Sequence, residues 1–517
     1  MTKFTSVKKI ILPFLIFTLS VSVFTFQSCK KKRSPLANVL FKKTHNKIFK
    51  DFTSEDFSEV FKNVLDSEKA KVTHPGIITA YYEHNDYKPE FVIDHVFNND
   101  LLTVVSYFQK ADEHGLDSGM FQPARIRALV NKFRTKNGIK TLNEAYHDMA
   151  ELEIISASSL INYSNALQYG VINPKKIFKR YFMATKQPDS LFMTKVFHIK
   201  SMQAYLDSIQ PKNPQYIALQ KALISGIQAP GKTQEETKRI LLVNMERLRW
   251  RNKPYQNKYV IVNIPDYTLN VMDSGRSVLK MKVCVGEGRN KNNENTLLNY
   301  NDTAKEDKPF RKETPLLNSV IHSVDVNPVW NIPQSIATKE IIVEEAKDKY
   351  YLSNKGIDVY NDGKLVDDPE DIDWSKVSKD SPYEFKQKPG ADNSLGKIKF
   401  LFDNESSVYL HDTPAKSAFL KAARDVSHGC VRLEQPQALA LNLFGAESEK
   451  YKTIAQDMSE DNPDPTTIYL SKKVPVYITY VTCWADENDV LQFRQDVYGL
   501  DIVIYDHLQK FIHPQTN

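Results

Sequence analysis

Apolar residues recur at three- and four-residue spacing through the first half of the chain, and this period predicts a mainly helical domain from Asp51 to Arg251. Asp100 to His114, Gln122 to Lys136 and Leu142 to Leu167 carry it most clearly, and glycine is sparse there. Near Tyr259 the period changes. Tyr259 to Ile264 and Val278 to Val285 are short β-branched runs parted by turn formers such as Asp273-Ser274-Gly275, which predicts strands. Further strands are expected over Ser319 to Val326, Ser407 to His411 and Val474 to Thr482, with a short helix over Gln437 to Phe444. A charged, turn-rich stretch at about 346–392 interrupts the strands and reads as an inserted lid. The fold class is therefore α+β: a helical scaffold domain at 51–251, a β-rich domain at 258–445 containing the insertion, and a C-terminal extension at 446–517 packed on it.

Composition changes this picture little. The 517 residues are 41% hydrophobic, enough for two or three cores, and a net charge of +6 spread along the chain argues against a dedicated nucleic-acid binder while suiting work beside an anionic polymer. The first residues say more. Lys3, Lys8 and Lys9 precede an apolar run from Ile10 to Phe26, the layout of a secretory signal over 1–28. Ser28-Cys29 resembles a bacterial lipoprotein processing site, which implies that Cys29 becomes a lipidated first residue and that 29–50 is a tether with Lys30 to Arg33 at the membrane surface. An uncleaved anchor is the other reading, because the run is close to the shortest membrane span. Both place the rest of the chain outside the cytoplasm.

Three cysteines remain beyond this segment. Cys284 and Cys483 sit in apolar, β-like surroundings and read as buried small hydrophobes, with a pairing between them left open; their spacing implies no metal or cofactor. Cys430 differs. In Ser427-His428-Gly429-Cys430-Val431-Arg432 the glycine permits a tight turn that exposes sulfur and aims backbone N–H groups at a developing oxyanion. Arg432 adds positive charge that favours a thiolate. A cysteine nucleophile also needs a base, and two histidines qualify: His428 in the same turn, and His411 at the end of the strand-like run Ser407 to His411. Residue types alone leave the two undecided. Tyr409, two residues before His411, shares its strand face and is expected to line the same groove.

Taken together, Ser427 to Arg432, Tyr409-Leu410-His411-Asp412-Thr413-Pro414, Asn327 to Pro333 and Lys388-Pro389-Gly390 to Leu395-Gly396 resemble the L,D-transpeptidase catalytic domain, and most closely its large Gram-negative envelope form. Asn244 to Trp250 leading to Val262-Asn263-Ile264-Pro265 resembles that subgroup's approach to the domain, and His114-Gly115-Leu116-Asp117 with Leu167-Gln168-Tyr169-Gly170 resembles its helical scaffold. The resemblance implies Cys430 as nucleophile, His411 as general base, and the Asp412 carbonyl as the group that orients the imidazole. It also implies Gly429 and Cys430 backbone N–H groups as oxyanion donors, Ser427, His428 and Arg432 as supports of the cysteine loop, and the lid over the acceptor side. Trp330 and Asn331 are expected with Tyr409 at the substrate. The implied partners are peptidoglycan stem peptides in the periplasm, with membrane attachment through the lipid and no cofactor.

The implied reaction begins with attack of Cys430 on the third stem residue and loss of a terminal D-alanine, leaving a thioester. An amine of another stem then gives a 3-3 crosslink, water gives a carboxypeptidase, and a lipoprotein lysine gives wall attachment; crosslinking is the expectation because a lid excludes water. No Gly-rich repeat of a peptidoglycan-binding module is visible, and 183–230 reads as charged helix and loop. The opposing expectation is a wall-binding lipoprotein that keeps the fold without the chemistry.

Overall fold

The computed structural model describes residues 33–252, 256–288, 306–309, 312–378, 381–459 and 464–512. The expected signal peptide and Cys29 lie outside the described residues. The N-terminal domain is built around one helix, Leu142–Tyr169. Thr141 caps its start by accepting the Glu144 N–H at 3.1 Å, and the chain leaves it at Gly170, whose φ is +80°. Leu152 to Leu160 is buried without a break, the mark of a helix enclosed on every side. Ser54–Glu68, Asp100–Gln109, Pro123–Arg134 and Met202–Ile209 surround it and share its core. Its buried Glu153 accepts from the Tyr82 hydroxyl at 2.6 Å and the Val92 N–H at 2.7 Å, so both carboxyl oxygens are hydrogen-bonded. Among the described residues no helix is long and apolar enough to cross a membrane.

The second half is a strand-rich domain whose sheet closes on itself. Leu316–Val326 is followed around the ring by Ile398–Phe402, Leu410–His411, Val431–Leu433, Arg276–Gly286, Thr268–Asp273, Lys258–Asn263 and Thr466–Thr479, and the last strand pairs back to the first. Inward-facing Val260, Val271, Val283, Val324, Phe400 and Val476 fill the interior and are all fully buried. Thr466–Thr479 belongs to both ends of the ring, because it runs parallel to Lys258–Asn263 and antiparallel to Leu316–Val326. Residues 466–479 are thus part of the barrel rather than an extension packed on it. Helix Glu449–Asp457 before it and the tail beyond it, with helix Leu500–Ile512, pack from outside.

The insertion starts earlier than its composition suggested, at Trp330 rather than near 346. Trp330–Ile332, Tyr383–Gln387, Ile357–Asn361 and Lys364–Leu365 form a separate sheet. Helical turns from Gln334 to Glu345 cover it, including a π-turn at Ala337–Ile341. Ile332, Ile341, Val359, Trp374 and Phe385 give it a core of its own. The cysteine pairing left open above is not formed. Cys284 packs against Ala418 and Phe419, Cys483 against Tyr216 and Met245, and both are free.

The helix that leads into the barrel is tied to the rest of the scaffold through buried polar contacts. Glu246, on helix Gln234–Arg249, accepts the N–H groups of Val171 and Ile172 at 2.9 Å each, the Trp250 indole at 3.1 Å and Arg249 at 3.0 Å. Gly170 is required here, since a Cβ would collide with the Glu246 carboxylate. Arg249 reaches on to the His114 carbonyl and the Tyr216 hydroxyl. Farther along, Tyr181–Phe182 of the scaffold pairs in parallel with Leu316–Leu317 of the barrel.

Candidate active site

Register places the reactive residues. Leu410–His411 runs parallel to Val431–Leu433 with Leu410 beside Val431 and His411 beside Arg432. Leu410 and Val431 are fully buried in the barrel interior, so alternation turns Tyr409, His411, Cys430 and Arg432 to the opposite face. Four residues, two in these short strands and two immediately before them, therefore share one surface. The Val431 N–H donates to the Tyr409 carbonyl at 3.1 Å, which fixes the strand register immediately beside the sulfur.

His411 is 4% exposed, and its Nδ1 lies 2.5 Å from the Asp412 carbonyl. A carbonyl only accepts, so Nδ1 carries the proton and Nε2 keeps its lone pair. Burial pushes the imidazole down to about 4, helped by the Arg432 charge and opposed by the carbonyls of Asp412 and Leu395. It is a neutral base at pH 7. Burial also pushes the Cys430 thiol up, against the Tyr409 N–H, the Arg432 charge, the Tyr409 hydroxyl and Lys399. The thiolate expected from Arg432 is thus not the resting state, because desolvation of the sulfur outweighs the nearby charge. With the thiol pushed up and the imidazole pushed down, the neutral pair is favoured over the ion pair at rest. Tyr409 stacks edge-on against His411 with ring centroids 5.7 Å apart.

The cysteine loop is fixed from behind. Ser427 accepts the Gly429 N–H at 3.1 Å and donates to the Cys430 carbonyl at 2.5 Å. The Gly429 N–H, expected as an oxyanion donor, is therefore occupied by Ser427, and Gly429 serves through its backbone at φ +117°. The Cys430 N–H has no acceptor among the described residues. His428 turns away from the sulfur, with Nε2 2.5 Å from Oε1 of Glu340 on the π-turn of the insertion, and Lys312 joins that carboxylate at 3.4 Å.

Comparison with known proteins agrees with this geometry. Residues 257–445 match the family described as the L,D-transpeptidase catalytic domain, and residues 77–223 match the family described as the Scaffold domain. This chain carries an L,D-transpeptidase catalytic domain behind a Scaffold domain. A Haemophilus influenzae protein named "Putative L,D-transpeptidase" is 28% identical over 265 residues, 50% of this chain and 48% of that protein. The match spans about half the length of that curated relative. The α+β expectation, helical scaffold first and strand-rich domain second, agrees with both family matches.

The transpeptidase domain and its insertion enclose a cavity of about 450 Å³ that contains Tyr409, His411, Ser427, His428, Gly429, Cys430 and Arg432 in its lining. Trp330 lines it too, and its indole reaches the Tyr409 hydroxyl. Asn331 does not. Alternation along Trp330–Ile332 turns Asn331 to the opposite, exposed face, where it pairs with Lys386. Sequence reasoning missed four residues: Glu340 and Lys312 beside His428, Arg180 of the scaffold on the cavity wall, and Thr314 behind the loop. None stands in a motif with the cysteine. Among the described residues no group of three or more His, Cys, Asp or Glu is placed to hold a metal ion.

Proposed function

We propose that the protein is a peptidoglycan L,D-transpeptidase that forms 3-3 crosslinks between stem peptides through a Cys430 thioester. The observation that carries this reading is that a half-buried cysteine and a neutral histidine whose tautomer is fixed share one face and one cavity. Cys430 Sγ attacks the carbonyl carbon of the third stem residue while His411 Nε2 takes the thiol proton. The tetrahedral oxygen faces the Cys430 N–H, which has no other partner among the described residues. Collapse breaks the amide, and His411 returns the proton to the leaving D-alanine amine. An acceptor amine then attacks the thioester, gives its proton to His411 and frees the thiol.

Lys312, Lys339 and Arg432 around the cavity suit the carboxylates of stem peptides. The insertion above the sulfur favours an amine over water, because it narrows access to the thioester. In this reading the protein is exported to the periplasm and held at the membrane by lipid on Cys29.

The test incubates the full chain with a disaccharide-tetrapeptide and identifies products by mass spectrometry. Release of D-alanine with a crosslinked dimer, both lost in Cys430→Ala, is the expected result. Tripeptide without dimer would make the enzyme an L,D-carboxypeptidase, and no turnover or acyl-enzyme at all would make it a wall-binding protein that keeps the fold without the chemistry.

A further inference from the structure

Thr314 lies in the segment before strand Leu316–Val326, is 2% exposed and does not touch the cavity. Its hydroxyl donates to the Gly429 carbonyl at 2.8 Å and accepts the Gly286 N–H at 2.8 Å, so both of its capacities are used. Gly429 and Cys430 share one peptide plane, in which the carbonyl and the N–H point in opposite directions. Holding the Gly429 carbonyl toward the interior therefore holds the Cys430 N–H toward the cavity. Glycine at φ +117° leaves this plane otherwise easy to rotate, and the Ser427 hydroxyl grips only the flanking Gly429 N–H and Cys430 carbonyl.

Thr314 is itself held from the C-terminal segment. The Tyr498 hydroxyl accepts the Thr314 N–H at 3.2 Å and donates to the Gly286 carbonyl at 2.8 Å, bridging the two residues that meet at the Thr314 hydroxyl. The Tyr498 N–H donates to the Tyr480 hydroxyl at 2.8 Å, which donates to Asp496 at 2.6 Å. Tyr480, Asp496 and Tyr498 lie beyond residues 257–445, the span matched to the catalytic family. We propose that Thr314 is a positioning residue that aims the Cys430 N–H at the developing oxyanion, and that the C-terminal segment, through Tyr498, holds Thr314 in place. This rests on the acyl-transfer reading above.

The experiment compares wild type, Thr314→Val, Thr314→Ser and Tyr498→Phe as full chains in two reactions. One is D-alanine release from a disaccharide-tetrapeptide, resolved into kcat and KM. The other is alkylation of Cys430 by iodoacetamide, a displacement that forms no oxyanion. Thr314→Val is expected to lower kcat by about 10- to 100-fold, part of the loss seen when an oxyanion donor is removed. Its KM and alkylation rate should stay within about twofold of wild type, and Thr314→Ser, which keeps the hydroxyl, should recover most of kcat. Tyr498→Phe should lower kcat several-fold with alkylation unchanged, and it decides the matter if Thr314→Val does not fold. A kcat in both Thr314→Val and Tyr498→Phe equal to wild type overturns the proposal, as does a fall in alkylation proportional to the fall in kcat. A wild type that alkylates but releases no D-alanine defeats the acyl-transfer reading first, and the proposal with it.

Discussion

Arg432 stands beside His411 in the strand register and two residues from Cys430, so one charge acts on both partners of the proton transfer. It pushes the imidazole down and the thiol down together. At an effective dielectric of about 20, a neighbouring unit charge is worth about 2 kcal/mol, or a change of about 1–2 in pKa. Replacing Arg432 with Met should therefore raise both groups by a similar amount. The free-enzyme acid limb of kcat/KM, set by protonation of His411 near 4 in wild type, should move up by about 1–2, and the pH midpoint of iodoacetamide alkylation should move the same way. Activity at pH 7 falls less than activity at pH 5, because the base stays neutral at the higher pH. Arg432→Lys keeps the charge and should keep both midpoints near wild type. Midpoints moving in opposite directions, or an unmoved acid limb in Arg432→Met, would refute the reasoning. Because the charge lowers donor and acceptor alike, it leaves the driving force of proton transfer almost unchanged and extends the working range toward acid.

The two histidines should separate sharply. His411→Ala is expected to lower D-alanine release by at least about 100-fold, the loss of a general base. His428→Gln breaks only a half-exposed contact with Glu340, worth at most about 1 kcal/mol, so release should fall less than about fivefold. The same variant loosens the seam between insertion and cysteine loop and should raise the ratio of tripeptide to dimer in the product mixture; an unchanged ratio would remove the insertion from acceptor choice. Glu246→Ala leaves Arg249 buried without its carboxylate and two backbone N–H groups without an acceptor, a loss of about 5 kcal/mol or more. Thermal melting should show it unfolded or lowered by more than 10 °C or so, and a melt within about two degrees of wild type would show that the junction tolerates an unpaired charge.

Long, periodic elements were legible in the sequence, and brief or long-range ones were not. Leu142 to Leu167 was read as one helix because its apolar period persists, and the structure runs it to Tyr169. The β-branched runs near Tyr259, Val278 and Ser319 all became barrel strands. Ser407 to His411 kept only two strand residues, since Ser407 turns at φ +51° before the pairing begins. The sequence predicts a strand over Val474 to Thr482, whereas the strand begins at Thr466 and carries a register shift between Tyr469 and Val474. The insertion's helical turns, Gln334 to Glu345, lie before the charged stretch at about 346–392 by which composition marks the insertion. Within the site, His411 and Cys430 could be nominated from residue type and motif. Thr314 could not, for it meets Gly429 across 115 positions and Tyr498 across 184, and a single hydroxyl leaves no periodic trace.

Three motifs far apart in the chain, around His114, Gly170 and Glu246, converge on one buried junction, and their purpose is mechanical. Glu246 ties the loop after the long scaffold helix to the helix that leads into the barrel. Beyond that loop the chain reaches Tyr181–Phe182, which pairs with Leu316–Leu317, and the Leu316 N–H donates to the Arg180 carbonyl at 3.1 Å. Leu316 is two residues from Thr314, whose hydroxyl holds the Gly429 carbonyl. Hydrogen bonds linked by short stretches of chain thus join the scaffold to the back of the cysteine loop. Buried bonds of this kind stay made, because breaking one strands a polar group at a cost of about 1–3 kcal/mol. The scaffold strand Tyr181–Phe182 thus abuts the segment that carries Thr314, two residues before Leu316.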